Sequence, residues 1–362
     1  MVKCLGSGTY SAQIRVVGTG EIVEEIATNE IISGTWNRLT NRTSKCTLSL
    51  PVMGTSSDKC CRFVDLGRGI PAYEVYLWRN TESGGNQRVW AGPLTDLEVQ
   101  PGNVINLTAQ DRSWWLSKRL IGTKNYVSLD INDIARQMAE YGYGLNNPAN
   151  VVVAWEAAGI VGEKTPTESE GSLVLNQITD VLDNVSYWTC VLGGFRIGMK
   201  CEIPWTFTDE DIAEVPPLIW SADSYSTQVF ARTNGAAFAS SGGVDTTRFG
   251  FPVLVQNVID ANATNDIDAQ GFTNKSLAER KYAGPQLQAL NSTLTANMGI
   301  DIMELIPGCK ARVNFEQYCD PIARELYLTQ VEGAFNPEDE DIRIELSQNY
   351  AESSVARVSG AS

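Results

Sequence analysis

The sequence contains no histidine, so the commonest general base of enzyme active sites is missing. Ser–His and Cys–His nucleophile pairs and His-containing zinc sites are therefore excluded. Two carboxylates could still hydrolyse a glycan, and Glu156 and Asp180 are the candidates. Both stand in unremarkable sequence contexts, so we interpret them as solvated surface acids. The sequence thus predicts no catalytic residue.

Glycine-rich and acidic segments offer no better site. Gly6-Ser7-Gly8 and Gly18-Thr19-Gly20 lack the strand-then-helix context of a dinucleotide-binding loop, and no phosphate-binding P-loop motif occurs. The acidic loop at residues 337–341 lacks the ligand spacing and the central glycine of a calcium loop, so we interpret it as a solvated hairpin tip. We therefore expect no cofactor and no metal.

Eight cysteines are present, and none forms a C-x-x-C pair of the kind that holds zinc. In a reducing cytosol we expect all of them to be free thiols. They stand at positions Cys4, Cys46, Cys60, Cys61, Cys190, Cys201, Cys309 and Cys319.

The formal net charge of −15 is concentrated in the C-terminal half. Residues 1–199 hold 17 Lys and Arg against 20 Asp and Glu, whereas residues 200–362 hold 11 against 23. Because affinity for nucleic acid rests mainly on Lys and Arg, such a chain can surround DNA without binding it. The simpler alternative is a solubilising surface charge. No apolar run approaches the ~20 residues of a membrane span, so we expect no stable membrane insertion.

The segment Val75–Arg119 organises the N-terminal part. Its period-2 alternation predicts a meander of short strands, with Gly92-Pro93 ending one strand because proline cannot donate a ladder hydrogen bond. Other short strands precede it, separated by turn signals. We predict that residues 1–120 form a first β-barrel domain.

The centre of the chain has a different pattern. Asp130 is a candidate N-cap for a helix that Gly142 would end, and a second helix should begin at Ser172. An aromatic hairpin with its turn at Gly193-Gly194 follows. We predict a small α+β domain over residues 121–200.

Strand patterns return afterwards. Residues 201–299 should supply strands of a second barrel, a loop at Ala236–Gly243 and a helix over Phe272–Ala296. Residues 300–362 should close that barrel and end in a flexible tail. The predicted closing strands are Ile302–Leu305, Lys310–Phe315, Arg324–Glu332 and Ile342–Leu346. The fold class is thus mainly β with an α+β insert, with two related tail-tube-like β-barrels flanking a small α+β layer.

Several short motifs resemble phage tail baseplate hub proteins, the family of tail-associated or minor tail proteins with two tube-forming barrels. Val89-Trp90-Ala91-Gly92-Pro93-Leu94 followed by Asp111-Arg112 resembles the first tube domain, as does Gly34-Thr35-Trp36-Asn37-Arg38. The Pro307-Gly308 turn with its alternating strand resembles the second. The likeness covers most of the chain.

The resemblance implies a mechanical function. Such proteins are homotrimers whose two barrels per chain form a pseudo-sixfold ring, which joins the sixfold tail tube or distal tail ring to a threefold tip. The implied partners are the distal tail or tube ring, the tip, fibre or central spike proteins and the tape measure protein, with DNA passing without specific binding. The implied location is the tail tip of a virion assembled in the bacterial host cytoplasm.

If three copies enclose a channel, an acidic lining would keep it from adhering to DNA. Strand alternation provides one polar side to the second barrel, which is where a lining would lie. The candidate channel-lining acids are Asp301, Glu304, Glu316, Glu325, Glu332 and Glu345, together with the loop Glu338–Asp341.

Two alternatives come from other classes. Nine tryptophans offer stacking faces for a carbohydrate- or receptor-binding β protein of the virion, which would need them exposed and clustered. A wall-degrading enzyme would need a cleft with two close carboxylates. Burial of Trp36, Trp78, Trp90, Trp114 and Trp115 at strand crossings would favour the hub.

Overall fold

The structure is a computed structural model that describes most of the chain. The described residues are 5–51, 63, 65–100, 104–122, 124–144, 147, 150–165, 173–182, 186–199, 201, 205–215, 227–233, 236–241, 255–259, 273, 277, 290–318 and 322–347. The chain divides into two compact units, the first comprising Met1–Val215 with Ala289–Ser362 and the second Pro216–Gln288.

The N-terminal part of the first unit consists mainly of strands, as its alternation predicts, and Phe63 and residues 65–68 are helical. A short 3-10 helix, Thr28–Glu30, interrupts them. The strands are β1 (Thr9–Val16), β2 (Ile22–Ile26), β3 (Ser33–Leu39), β4 (Lys45–Pro51), β5 (Tyr73–Thr81), β6 (Gly85–Gln100) and β7 (Val104–Gln110).

Helices and short strands form the centre of the first unit. They are α1 (Ser113–Leu116), β8 (Tyr126–Asp130), α2 (Ile131–Tyr143), β9 (Val153–Trp155), β10 (Val161–Lys164), α3 (Val174–Leu182), β11 (Trp188–Val191) and β12 (Gly194–Ile197). Asp130 caps α2 by accepting a hydrogen bond from the N–H of Asn132, as predicted. The helix continues past Gly142, however, and ends at Gly144, where a positive φ of 82° suits glycine.

The remaining strands of the first unit are β13 (Trp205–Thr208), β17 (Leu290–Thr293), β18 (Lys310–Phe315), β19 (Ile322–Phe335) and β20 (Glu340–Ser347). The second unit contains β14 (Gln228–Thr233), β15 (Ala236–Ser241) and β16 (Val255–Ile259). In it, β14 pairs antiparallel with β15 and parallel with β16.

One twelve-stranded sheet joins the two ends of the chain. Its order is β13-β18-β19-β3-β4-β7-β6-β5-β1-β2, with β20 pairing with both β19 and β17. The antiparallel pair of β3 and β19 links strands that the sequence assigned to separate barrels. The mainly β fold with an α+β layer is confirmed. Among the described residues, however, the strand pairs form an open path and no closed barrel.

Strand β6 corrects the prediction that Gly92-Pro93 ends a strand. It runs through both residues and changes partner there, pairing with β5 up to Pro93 and with β7 from Leu94 onward. A Cβ atom at Gly92 would lie 2.0 Å from the carbonyl oxygen of Gln110, so only glycine permits the two backbones to approach this closely.

Three other predicted elements are wrong. Residues 302–305 form turns instead of a strand. Ala236–Ser241 is a strand instead of a loop, and Gly242 and Gly243 lie outside the described residues. Leu290–Thr293 is a strand, β17, where the predicted helix should have continued. Of that helix, Thr273 and Leu277 are described and both are helical.

The α+β layer has its own core, which packs around α2, α3 and the β11–β12 hairpin. Its stacked rings are Trp188 and Phe195, with centroids 5.3 Å apart. The layer attaches to the end of β3, where the Thr189 hydroxyl donates to the Leu39 carbonyl at 2.8 Å and the N–H of Trp188 donates to Asn41 Oδ1 at 2.9 Å.

The prediction that all cysteines are free thiols is wrong for one pair. Cys201 and Cys309 form a disulfide with their Cα atoms 5.4 Å apart, a separation that suits such a bond. Cys46 and Cys190 are free and buried, as predicted. Cys4, Cys60, Cys61 and Cys319 lie outside the described residues.

Candidate functional site: the polar sheet face

One side of the large sheet is covered by polar side chains over seven neighbouring strands. These side chains alternate with buried core residues because successive residues of a strand point to opposite faces. We call this surface the polar face. It comprises Thr35, Asn37, Lys45, Thr47, Ser49, Asp96, Glu98, Asn106, Thr108, Lys310, Arg312, Glu325, Gln330, Glu332, Asp341, Arg343 and Glu345.

Strand register brings these residues together. Glu332 of β19 lies opposite Arg343 of β20 on one side and opposite Asn37 of β3 on the other. A β-bulge between Leu328 and Gln330 inserts one extra residue, so the polar side of β19 stays on the same face before and after it. The polar face is therefore continuous from β18 through β19, β3, β4 and β7 to β6, with β20 beside β19.

The charges of the polar face are of both signs. Glu325 lies 3.6 Å from Lys310 Nζ and 3.5 Å from Arg312 Nη2, and Asp341 lies 2.6 Å from Arg343 Nη2. These pairs are largely exposed, so each contributes little to stability. Their consequence is that the acids do not form an unbroken negative surface.

Hydroxyl and amide groups fill the middle of the polar face. Thr35 and Thr47 hydroxyls lie 2.7 Å apart, and the Ser49 hydroxyl donates to Asn106 Oδ1 at 2.8 Å. Such cross-strand pairs stabilise the sheet while leaving a neutral hydrophilic surface. These residues are not among the predicted channel residues, although the alternation of β3, β4 and β7 places them on one side.

The six predicted channel acids separate into two groups. Glu325, Glu332 and Glu345 lie on the polar face. Asp301 is buried and accepts a hydrogen bond from Gln87 Nε2 at 2.9 Å, so it lies elsewhere. Glu304 is exposed in a turn before β18, and Glu316 is exposed just after the end of β18.

The acidic loop differs from a solvated hairpin tip at one residue. Glu338 and Asp339 are exposed, as predicted. The side chain of Glu340 is only 5% exposed and forms an ion pair of 2.7 Å with Arg79. It also accepts hydrogen bonds from the Tyr10 hydroxyl and, at 2.8 Å, from the N–H of Gly8. Burial and the neighbouring Glu340 carboxylate raise the pKa of Tyr10, which keeps its hydroxyl protonated.

A buried arginine supports the polar face from the core side. Arg38 of β3 donates to the Val89 carbonyl at 2.7 Å and to the carbonyls of Ile302 and Leu305 at 2.9 and 3.1 Å. Burial lowers the pKa of Arg38 to about 10, so the guanidinium remains charged at neutral pH. This side chain fixes the turns before β18 against β6.

The described residues contain no group of three or more Cys, Asp or Glu side chains that could hold a metal ion. No helix in the described ranges has the length and apolar character to cross a membrane.

The fold is that of phage tail proteins. The chain is similar to the tail protein of Neisseria meningitidis MC58, with a TM-score of 0.63, 13% identity and coverage of 93% of this chain and 96% of that one. The 43 kDa tail protein of prophage MuSo2 from Shewanella oneidensis gives a TM-score of 0.61 at 9% identity, covering 93% and 98%. Prophage tail protein gp18 from Listeria monocytogenes EGD-e gives 0.57 at 13% identity, covering 94% and 95%.

No protein-family model and no curated protein matches the sequence. The predicted resemblance to phage tail baseplate proteins is thus confirmed by structure.

Proposed function

We propose that the chain is a structural subunit of a bacteriophage tail and that three copies form a hub ring at the tail tip. The ring adapts the sixfold tail tube or distal tail ring to a threefold tip, and its channel passes the tape measure protein and DNA. Similarity to phage tail proteins over nearly the whole chain supports the structural role in a tail.

The continuous polar face is the observation that supports the proposal of a channel. A sheet side with polar side chains on seven neighbouring strands suits contact with water and with a sliding polymer. Its mixed charge and its hydroxyl groups offer DNA phosphates no concentrated positive site. We assign the polar face to the channel wall, with Glu325, Glu332 and Glu345 among the lining residues.

The other predicted partners follow from the ring. The distal tail or tube ring would contact one side, and a tip, fibre or central spike protein the other. The protein would be located at the tail tip of the virion after assembly in the bacterial cytoplasm. We assign it no catalytic activity.

The tryptophans argue against the alternative of a carbohydrate-binding virion protein. Trp36, Trp90 and Trp188 are buried to 2% exposure or less. Trp78, Trp114, Trp115, Trp155 and Trp205 are half-buried. Of the five tryptophans expected to be buried at strand crossings, Trp36 and Trp90 are fully buried, whereas Trp114 and Trp115 lie in helix α1.

Native mass spectrometry of the purified chain over a concentration series tests the ring. The expected species has about three times the 39.5 kDa mass of the chain. A monomer at every concentration would contradict the trimer and leave only the structural role in a tail.

A further inference from the structure

A cleft on the first unit concentrates positive charge in an otherwise acidic protein. It has a volume of about 570 Å³ and lies between the β1–β2 turn, β5 and the β11–β12 hairpin. That volume is within the range of small-ligand sites. Its charged lining residues are Arg88, Arg112, Arg196 and Glu74.

One of these arginines is already neutralised. Arg112 forms a two-point ion pair with Glu74, in which Nε lies 2.7 Å from Oε1 and Nη2 lies 2.8 Å from Oε2. Since Glu74 is the one carboxylate among the described lining residues, the charges of Arg88 and Arg196 have no counterpart there.

The hairpin backbone holds two guanidiniums at the cleft. Arg88 donates to the Leu192 carbonyl at 3.1 Å, and Arg112 donates to the Gly193 carbonyl at 3.0 Å. Gly193 has a φ of 84°, which favours glycine, and a Cβ atom there would lie 2.8 Å from Arg112 Nη1. Leu192 has a φ of 55°, a strained value for a non-glycine residue. Positive φ at both Leu192 and Gly193 is the conformation of a two-residue hairpin turn, and in this turn the two carbonyls accept from the arginines.

An aromatic ring completes the positive cluster. The guanidinium carbons of Arg88 and Arg15 lie 4.9 and 5.0 Å from the centroid of the Tyr76 ring. Burial lowers the pKa of Arg88, and the nearby Arg112 and Arg15 lower it further, whereas Tyr76 and Glu74 raise it. A bound anion would remove this repulsion.

We propose that this arginine cleft binds carboxylate side chains of an acidic peptide segment on a neighbouring protein. Guanidinium groups bind carboxylates through two parallel hydrogen bonds, and Arg88 and Arg196 are the cleft arginines with no ion pair to a lining carboxylate. The cleft is too small to take a DNA duplex, so a short peptide is the occupant that its size favours. The proposal does not depend on the trimeric ring.

The test measures binding of an end-blocked tetraglutamate peptide to the full chain by calorimetry at low ionic strength. We expect one site per chain, weakened by added salt. The double variant Arg88→Ala/Arg196→Ala should lower the affinity at least about tenfold, because both unpaired charges are lost. Arg68→Ala is the matched control, since Arg68 is a highly exposed arginine outside the cleft, and it should leave binding unchanged.

Two further experiments test whether the cleft is the binding site and whether it prefers carboxylates to other anions. Arg88→Lys keeps the charge but loses the planar fork, so it should give an intermediate affinity if the cleft is the site. Inorganic phosphate and a short DNA duplex serve as competing anions. Absence of peptide binding, equal binding by the double variant with an unchanged melting temperature, or tighter binding of phosphate or DNA would each overturn the proposal.

Discussion

At the scale of single residues, buried arginines connect parts of the chain that are far apart in sequence. Arg79 joins β5 to Glu340 at the start of β20 and also donates to the carbonyls of Leu5 and Gly6. Arg38 joins β3 to the turns before β18. A charged residue in a period-2 strand is normally assigned to the solvent side, so its sequence position gives no signal of such a role.

Glu340→Ala should destabilise the fold by about 3–5 kcal/mol, because it leaves the guanidinium of Arg79 buried without its partner. Urea unfolding of the purified variant measures this loss. Glu338→Ala removes an exposed carboxylate from the same loop and should change stability by less than about 0.5 kcal/mol. Equal effects of the two substitutions would contradict the role of the buried pair.

Asp111 makes stability depend on pH. Burial raises its pKa from 3.8 to about 6, although N–H groups of Ser44 and Ser113 stabilise the charged form. Because the folded chain holds this proton more tightly than the unfolded chain, the resulting stability is fully present below about pH 4 and is lost as the pH rises through about 6.

Asp111→Asn removes that titration. The unfolding free energy of the natural chain, relative to the variant, should therefore fall by about 3 kcal/mol between pH 4 and pH 7. Urea unfolding at several pH values measures the difference. Parallel pH profiles for the two proteins would show that Asp111 does not titrate in this range.

At the scale of elements, the sequence was sufficient to predict those helices and hairpins that are determined by residues close together in the chain. Helix α2 follows from the N-cap Asp130 and an apolar stripe, and the β11–β12 hairpin from Gly193-Gly194. Strand β6 was divided wrongly because its continuity depends on partners distant in sequence, β5 and β7. For the same reason, alternation predicted Glu325, Glu332 and Glu345 on one side but could not show that β3 pairs with β19.

Gly92→Ala tests the partner exchange in β6. The added methyl group would overlap the Gln110 carbonyl and should cost about 1–3 kcal/mol or more. Thermal unfolding provides the measurement. Gly67→Ala is the control, because its nearest contact would be an ordinary 3.8 Å from Leu97 and it should change stability by less than about 1 kcal/mol. Equal melting temperatures for Gly92→Ala and the natural chain would contradict the explanation that the partner exchange in β6 requires glycine at this position.

At the scale of the whole molecule, the polar face carries charges of both signs although the chain is acidic, so a channel lined by it would not be strongly acidic. Ion pairs such as Glu325 with Arg312 offset part of the negative charge. Much of the excess of acids lies elsewhere, including Glu304 and Glu316 in exposed turns. A weakly charged hydrophilic wall neither attracts DNA strongly nor repels it strongly.

Added positive charge on the polar face should make DNA adhere during ejection. Glu345→Lys in an infectious particle is expected to slow genome release without reducing the number of assembled particles, and high salt should lessen the delay. Glu304→Lys makes the same charge change away from the polar face and should release DNA at the normal rate. Single-particle ejection kinetics measure both, and equal rates for the two variants would argue against a channel role.

The central claim is that the polar face lines the channel of a threefold ring. Cryo-electron microscopy of intact tails that contain this chain tests it most directly. We expect three copies around the tail axis, with the side chains of Glu332 and Glu345 directed toward the lumen. A map that places the polar face on the outer surface, or the chain away from the axis, would contradict the claim.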